Sequence, residues 1–291
     1  MLFRSMDRPH RLGPQRLVVA RSIPLVWSHG GLGRNLMSTT RTPWIWHLAS
    51  LAVLLALLGL WQWAATLEWL SPVFFPAPSK SLLALHEQMG SSEFWFAFGQ
   101  TLTRMLLGFG VASVVGVMLG ALIGLYPSVR AYLEPSLEWI RPLPASAIIP
   151  LFILWMGLND RMIIAVIMFS SLWPVLLNTV HGFKTIDPRL VEVSRMLQMS
   201  RIGFIWKIAL PNAMPDILAG LRLAITVSLI LAVVAEMLAG TTGLGQNITL
   251  AARSFRSGDL YAGIMVLGAV GYVSNVLLAR LERHLLRWRE A

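Results

Sequence analysis

Six apolar stretches punctuate this chain, at about Trp44–Leu67, Thr101–Leu125, Ala145–Leu158, Met162–Val180, Ile217–Ala239 and Leu260–Leu281. Nothing else in the sequence narrows the fold as far. A hydrocarbon layer about 30 Å thick is crossed by about 20 mostly apolar residues in α-helix. Within lipid, only helices and closed barrels satisfy every backbone donor and acceptor. Apolar residues make up 56% of the chain and charged ones 13%, about half the charged share usual in globular domains. So much apolar surface cannot all be a water-soluble core. The expected class is all-α integral membrane, with six transmembrane helices.

The segments between the spans carry their own signals. Trp44, Trp46, Trp61, Trp63 and Trp69 stand toward the ends of the first span, where an amphipathic ring prefers the headgroup level. In the stretch that follows, Pro78-Ser79 precedes an apolar-periodic run, which predicts a short surface helix. Residues 1–41 are polar and arginine-rich, and the run Leu17–Ala20 is too brief for a signal segment. They are read as a disordered cytoplasmic tail, with a start at Met37 as the alternative. The expected division is a tail (1–41), the first span with its outer amphipathic segment (42–100), a core (101–285) and a short cytoplasmic end (286–291).

Six crossings put both termini on one side, and loop Lys and Arg residues decide which. Outside the tail, eleven lie on the side of the termini: Arg130, Arg141, Lys184, Arg189, Arg195, Arg201, Lys207, Arg280, Arg283, Arg287 and Arg289. Five lie opposite: Lys80, Arg104, Arg161, Arg253 and Arg256. Both termini and the loop 184–215 are therefore expected in the cytoplasm. The net charge of +10 follows from this topology, and nucleic acid is not an expected partner.

Within the spans, Gly116, Gly120 and Gly124 recur every four residues on one helix face. Such a stripe lets two helices approach closely, either within one subunit or at a seam between subunits. Pro142, Pro144, Pro150 and Pro174 remove backbone donors. Irregular backbone at membrane depth survives only against protein or a water-filled cavity. The third and fourth spans are thus expected to line a path, with Pro150, Trp155, Pro174 and Glu236 as its candidate residues. Arg222 stands close enough to the inner end of the fifth span to snorkel.

Several chemistries are missing. None of the three lysines follows a glycine, so there is no phosphate-binding Gly-x-x-x-x-Gly-Lys-Ser/Thr loop. His86-Glu87 starts like a zinc motif, but no second histidine follows at the required spacing. The chain has no cysteine, and no Gly-x-Ser-x-Gly elbow. No catalytic residue, metal site or bound cofactor is expected.

One loop is long for a connector: VEVSRMLQMSRIGFIWKIALPNAMP, from Val191 to Pro215. Val193, Met196, Leu197, Ser200, Phe204 and Ile208 step at helical spacing among Arg195, Arg201 and Lys207. A basic amphipathic helix on the cytoplasmic side either lies on lipid or docks in the groove of a partner. Periodicity does not choose between these.

The residue pattern does. Glu192-Val193-Ser194, Gln198, Ile208, Leu210 and Pro211 resemble the Glu-Ala-Ala–three–Gly–nine–Ile–x–Leu–Pro loop of ABC-importer permeases. TLTRMLLGF, RPLPASAIIPLFILWMG, NAMPDILAGLRLA and VVAEMLAGTTGLG are similar to the branch importing nitrate, taurine and alkanesulfonates. The resemblance implies a type I ABC-importer permease (MetI-like) fold working as a homodimer in the cytoplasmic (inner) membrane. Separate ATPase subunits would bind ATP and Mg, and an external substrate-binding protein would deliver a small solute. Met196, Leu197, Phe204 and Ile205 would be buried knobs in the ATPase groove, with Glu192 and Arg195 at its rim. Ile208 would continue that face, and Leu210-Pro211 would set the angle to the fifth span. Gln198 stands where the family has glycine. Glutamine tolerates positive φ much less, so the docking helix is expected to run straighter here. The alternative is an ion-gradient-driven carrier, which would favour internal repeats and intramembrane acids; Glu236 is the one acid well inside a span.

Overall fold

The computed structural model describes residues 43–67, 71, 73–140 and 143–289; the basic tail, Trp69, Arg141 and Pro142 lie outside them. Contacts divide the chain into a unit ending at Ala52 and a unit Val53–Ala291. Helix α1 (Pro43–Thr66) begins in the first and continues into the second. From Val53 to Leu60 its side chains are exposed, as suits a helix apolar on all sides. Its Gln62 is bound twice by Ser79, the amide Nε2 donating to Oγ at 3.1 Å and Oε1 accepting from the backbone N–H at 3.2 Å. That ties α1 to the first turn of α2 (Pro78–Met89), where Pro78 supplies the expected helix start.

Helix α3 (Ser92–Leu125) starts well before Thr101, across the division expected at residue 100. The hydroxyl of Ser91 caps it by accepting from the Phe94 N–H at 3.2 Å. Polar Glu93 and Gln100 hid this start, because the hydrocarbon limit is not the helix limit. At about 1.5 Å per residue, 34 residues span about 51 Å, well beyond a 30 Å core.

The glycine stripe of α3 is a seam inside this chain. It packs on α6 (Asp160–Lys184), which extends the expected fourth span at both ends. A Cβ on Gly108 would meet Ile167 at 2.5 Å, on Gly116 Val175 at 2.9 Å, on Gly120 Thr179 at 2.6 Å, and on Gly124 Phe183 at 2.5 Å. Ala112, between them, is fully buried. Lipid offers no hydrophobic drive for helix association, so close backbone packing supplies the adhesion. Among the described residues the buried hydroxyls of Ser171 and Thr179 have no hydrogen-bond partner; their small size, not their polarity, suits the seam.

Each of those contacts joins residue i of α3 to residue i+59 of α6. The numbers rise together, so the two helices run parallel. The chain must therefore recross the membrane between them. It does so over α4 (Pro127–Ile140) and α5 (Ala145–Met156), each too short to span alone and together bent by 93°. Five helices among the described residues are long and apolar enough to cross a membrane, and the bent pair, counted as one broken span, makes six. The expected third span, Ala145–Leu158, is half of that broken crossing. Single cysteines at Ser128 and Leu158, both exposed, are thus expected to react with an impermeant maleimide from opposite sides of the membrane. Labelling of both from one side would contradict the parallel seam.

Helix α9 (Leu210–Ala239) returns antiparallel to α6, with Gly182 set against Ala213 and Gly220 against Pro174 and Asn178. The short α10 (Leu244–Arg253) follows, and α11 (Ser257–Leu285) closes the bundle. The largest core cluster joins Met105 of α3, Ile149 of α5, Ile163 and Ile167 of α6, Ile225 and Leu231 of α9, and Leu278 of α11. Arg222 reaches Glu282 of α11 in an ion pair, so the expected snorkelling anchor also ties two helices.

Candidate functional site

The loop 184–215 folds as helix, turn, helix. Asp187 caps α7 (Pro188–Met196), its carboxylate accepting from the Arg189 N–H at 2.9 Å with Pro188 at the first position. At the far end Gln198 takes φ 49°. Its N–H donates to the Arg195 carbonyl at 3.0 Å, and the Met199 N–H to the Ser194 carbonyl at 3.0 Å. This pair of bonds is the Schellman C-cap, in which glycine is the usual left-handed residue. Glutamine occupies it at a conformational cost of about 1–2 kcal/mol. The turn of the glycine-containing pattern is kept, and the straighter helix expected from Gln198 does not form. Ser200 then caps α8 (Arg201–Phe204), accepting from the Gly203 N–H at 3.1 Å. A π-helical turn, Ile205–Ala209, leads without a break into α9. Pro211, which lacks an N–H, stands at the start of that ladder.

The turn resets the helical phase, so residues on either side of Gln198 do not share one face. Met196 (83%) and Leu197 (68%) are exposed, as are Glu192, Arg195 and Gln198. Phe204, expected to project outward, packs instead on the chain's own cluster of Phe183, Ala209 and Ala213, as does Leu210. Ile205 and Ile208 are half-buried. In their place Ile202 (71%) and Trp206 (66%) project. The sequence held a signal for them: serine before Arg201-Ile202-Gly203 marks a fresh helix start.

At the opposite end of the bundle lies a buried charge cluster. Glu236, fully buried near the end of α9, accepts from Arg104 Nη1 at 2.9 Å on Oε1. Its Oε2 accepts from the Thr101 hydroxyl at 2.9 Å and the Gly245 N–H at 3.0 Å. Arg104 also donates to the Thr242 carbonyl at 2.7 Å and to Asp160 at 2.7 Å. Thr101 in turn accepts from the Leu244 N–H at 2.9 Å. One guanidinium thus fastens α3 to the start of α6, the end of α9 and the loop into α10. Gly243 and Gly245 are required by proximity: a Cβ on the first would strike the Glu236 carboxylate, and on the second the Val233 carbonyl. The structure corrects the expectation that Glu236 faces a path; both its oxygens are engaged inside the fold. Of the five basic residues at this end, Arg104 and Arg256 are neutralised by ion pairs.

The other candidate path residues do not converge. Pro150 is exposed, and Trp155 (70%) lies on the uncovered side of α5. Pro174 is half-buried facing Gly220. A cleft of about 640 Å³ opens between α3 and α11, but Ser274 is the one small polar residue in an otherwise hydrocarbon and aromatic lining that includes Phe94, Phe98 and Val270. Such a cleft suits acyl chains, not a polar solute.

Residues 112–290 match the family described as binding-protein-dependent transport system inner membrane component. The chain belongs to this family. Its permease relatives include a putative aliphatic sulfonates transport permease of Bacillus subtilis, 34% identical over 86% of this chain and 90% of that one. The taurine transport system permease of Escherichia coli is 32% identical over 87% and 95%. A bicarbonate transport system permease of Synechococcus elongatus is 33% identical over 67% and 70%. Among solved structures, the inward-facing MetNI methionine ABC transporter matches with a TM-score of 0.59 at 15% identity, over 66% of this chain and 96% of that one; this shows the fold alone. The chain is an ABC-importer permease of the all-α, MetI-like class, and the choice between importer and gradient-driven carrier falls to the importer. The matched region holds the helix–turn–helix segment and Glu236, while Arg104 precedes it.

Proposed function

We propose that this permease works as a homodimer that passes a small anion, a sulfonate, taurine, nitrate or a similar solute, across the inner membrane. Its partners are ATPase subunits on the cytoplasmic side, which hold ATP and Mg, and a secreted binding protein on the other. The termini and the segment 184–215 face the cytoplasm, a reading supported by the eleven-to-five distribution of Lys and Arg. The observation that carries the reading is the exposed set Met196, Leu197, Ile202 and Trp206 around the Gln198 turn. These apolar side chains stand at the basic end of the bundle, rimmed by Glu192 and Arg195, as an interface core with a polar rim would.

The segment is coupled to the spans on both sides. Two residues beyond α6 suffice to reach the Asp187 cap, and α8, the π turn and α9 are continuous. Phe204 and Leu210 clamp the segment to Phe183 and Ala213, so a push on the turn is delivered to α6 and α9 together. ATP-driven closure of the ATPase pair shifts the equilibrium between inward-open and outward-open states only through contacts that differ between them. Pro150, Trp155 and Pro174 remain the proposed path residues, completed by the second copy. In proteoliposomes, uptake is expected to need both ATP hydrolysis and a cognate secreted binding protein. Uptake that survives ATP depletion and is lost with an uncoupler would contradict the proposal.

A further inference from the structure

We propose that Phe255, paired with Phe74 and flanked by Arg253, is the aromatic anchor on which the secreted binding protein docks. The inference rests on the importer reading above and names the surface that reading leaves open. Phe255 has φ 55° at the end of α10. Its N–H donates to the Ala252 carbonyl at 3.2 Å, and the Arg256 N–H to the Ala251 carbonyl at 2.9 Å. This is the same Schellman cap as at Gln198, again without the glycine that adopts it freely. A bulky residue held at positive φ is strained, and such strain persists where function demands the side chain.

The ring is not consumed in packing. Phe255 is 67% exposed and Phe74 60%, yet they meet edge to face with centroids 6.3 Å apart. The loop before α2 and the turn after α10 are thus brought to one spot. Arg253 beside them is exposed and enters no ion pair among the described residues, whereas Arg256 is engaged by Asp259 at 3.2 Å. Aromatic and arginine side chains of this kind dominate the energetics of protein interfaces.

Position selects a protein over lipid as the occupant. Trp61 of α1 and Tyr261 of α11, with centroids 5.5 Å apart, mark the headgroup level. Phe255 lies six residues outward of Tyr261, beyond the polar first turn Ser257–Asp259. With 29 residues, α11 is about 43 Å long, so its outer tip clears a 30 Å core. The fitting partner offers an apolar pocket rimmed by carboxylates.

The test uses the permease–ATPase complex in lipid nanodiscs, titrated with its purified cognate binding protein. Phe255→Gly is expected to weaken binding at least about tenfold while the thermal midpoint stays at or above wild type. Phe255→Ala is expected to weaken it similarly, and Arg253→Ala to weaken it most at low salt. Unchanged affinity in Phe255→Gly overturns the proposal, as does a midpoint that falls in step with affinity. Unchanged affinity with loss of co-purifying phospholipid would reassign the face to lipid and also overturns it. Should the wild-type complex bind no secreted protein at all, the importer reading itself fails.

Discussion

Arg104→Met is expected to leave almost no folded permease, and Arg104→Met combined with Glu236→Gln to restore much of it. In the single variant the Glu236 carboxylate, fully buried, loses its cation and keeps only the Thr101 hydroxyl and the Gly245 N–H. Breaking a buried ion pair from one side costs about 3–5 kcal/mol, because an uncompensated charge stays behind. Neutralising Glu236 removes that charge, and a glutamine carbonyl can still accept from both remaining donors. Asp160, the other partner of Arg104, has a side chain 59% exposed; water screens it, so Asp160→Asn is expected to cost under about 1 kcal/mol. The check is the yield of monodisperse protein in mild detergent with its thermal midpoint. Equal collapse of single and double variants would show that the guanidinium matters for packing alone.

The second large effect concerns the other end of the bundle. Leu197→Asp with Trp206→Asp is expected to leave a folded, inserted permease that no longer retains the ATPase. Both side chains project from the chain, at 68% and 66% exposure, so neither change disturbs its interior. At a partner interface each would bury a carboxylate where an apolar anchor sat. Two lost hot spots, at about 2 kcal/mol or more each, amount to roughly a thousandfold in affinity. Phe204→Asp serves as the contrast: its ring packs on Phe183 and Ala213, so it is expected to lower stability first and docking as a consequence. A complex that survives Leu197→Asp/Trp206→Asp with normal uptake would remove the docking role.

How much of this could be read from residues alone depends on the range of the interactions. The spans were legible because apolar length is a local property set by the thickness of lipid. So was the Gly116–Gly120–Gly124 stripe, although its partner helix was not; which face of α6 it meets is a matter of register, visible only once Val175 and Thr179 stand opposite. Gln198 misled because propensity at one position was overruled by two backbone hydrogen bonds and the Ser200 cap that follows. Beyond that turn Phe204 is half-buried against Phe183 and Ala213, and Trp206 projects. The ion pair was missed for another reason. In the sequence Arg104 stands near the outer end of its span and Glu236, 132 residues away, reads as an isolated acid. Both are charges inside apolar runs, and two such groups of opposite sign at the same membrane level call for each other.

The segment around Gln198 is proposed as the grip of a separate ATPase. The chain contains no cysteine, so Leu197→Cys provides a unique thiol without further change. With a maleimide–benzophenone attached to that thiol, irradiation of the assembled importer is expected to yield a covalent adduct between position 197 and the ATPase, and none from Trp155→Cys on α5. An importer that takes up solute at the normal rate while position 197 stays freely alkylated and never cross-links would contradict the account.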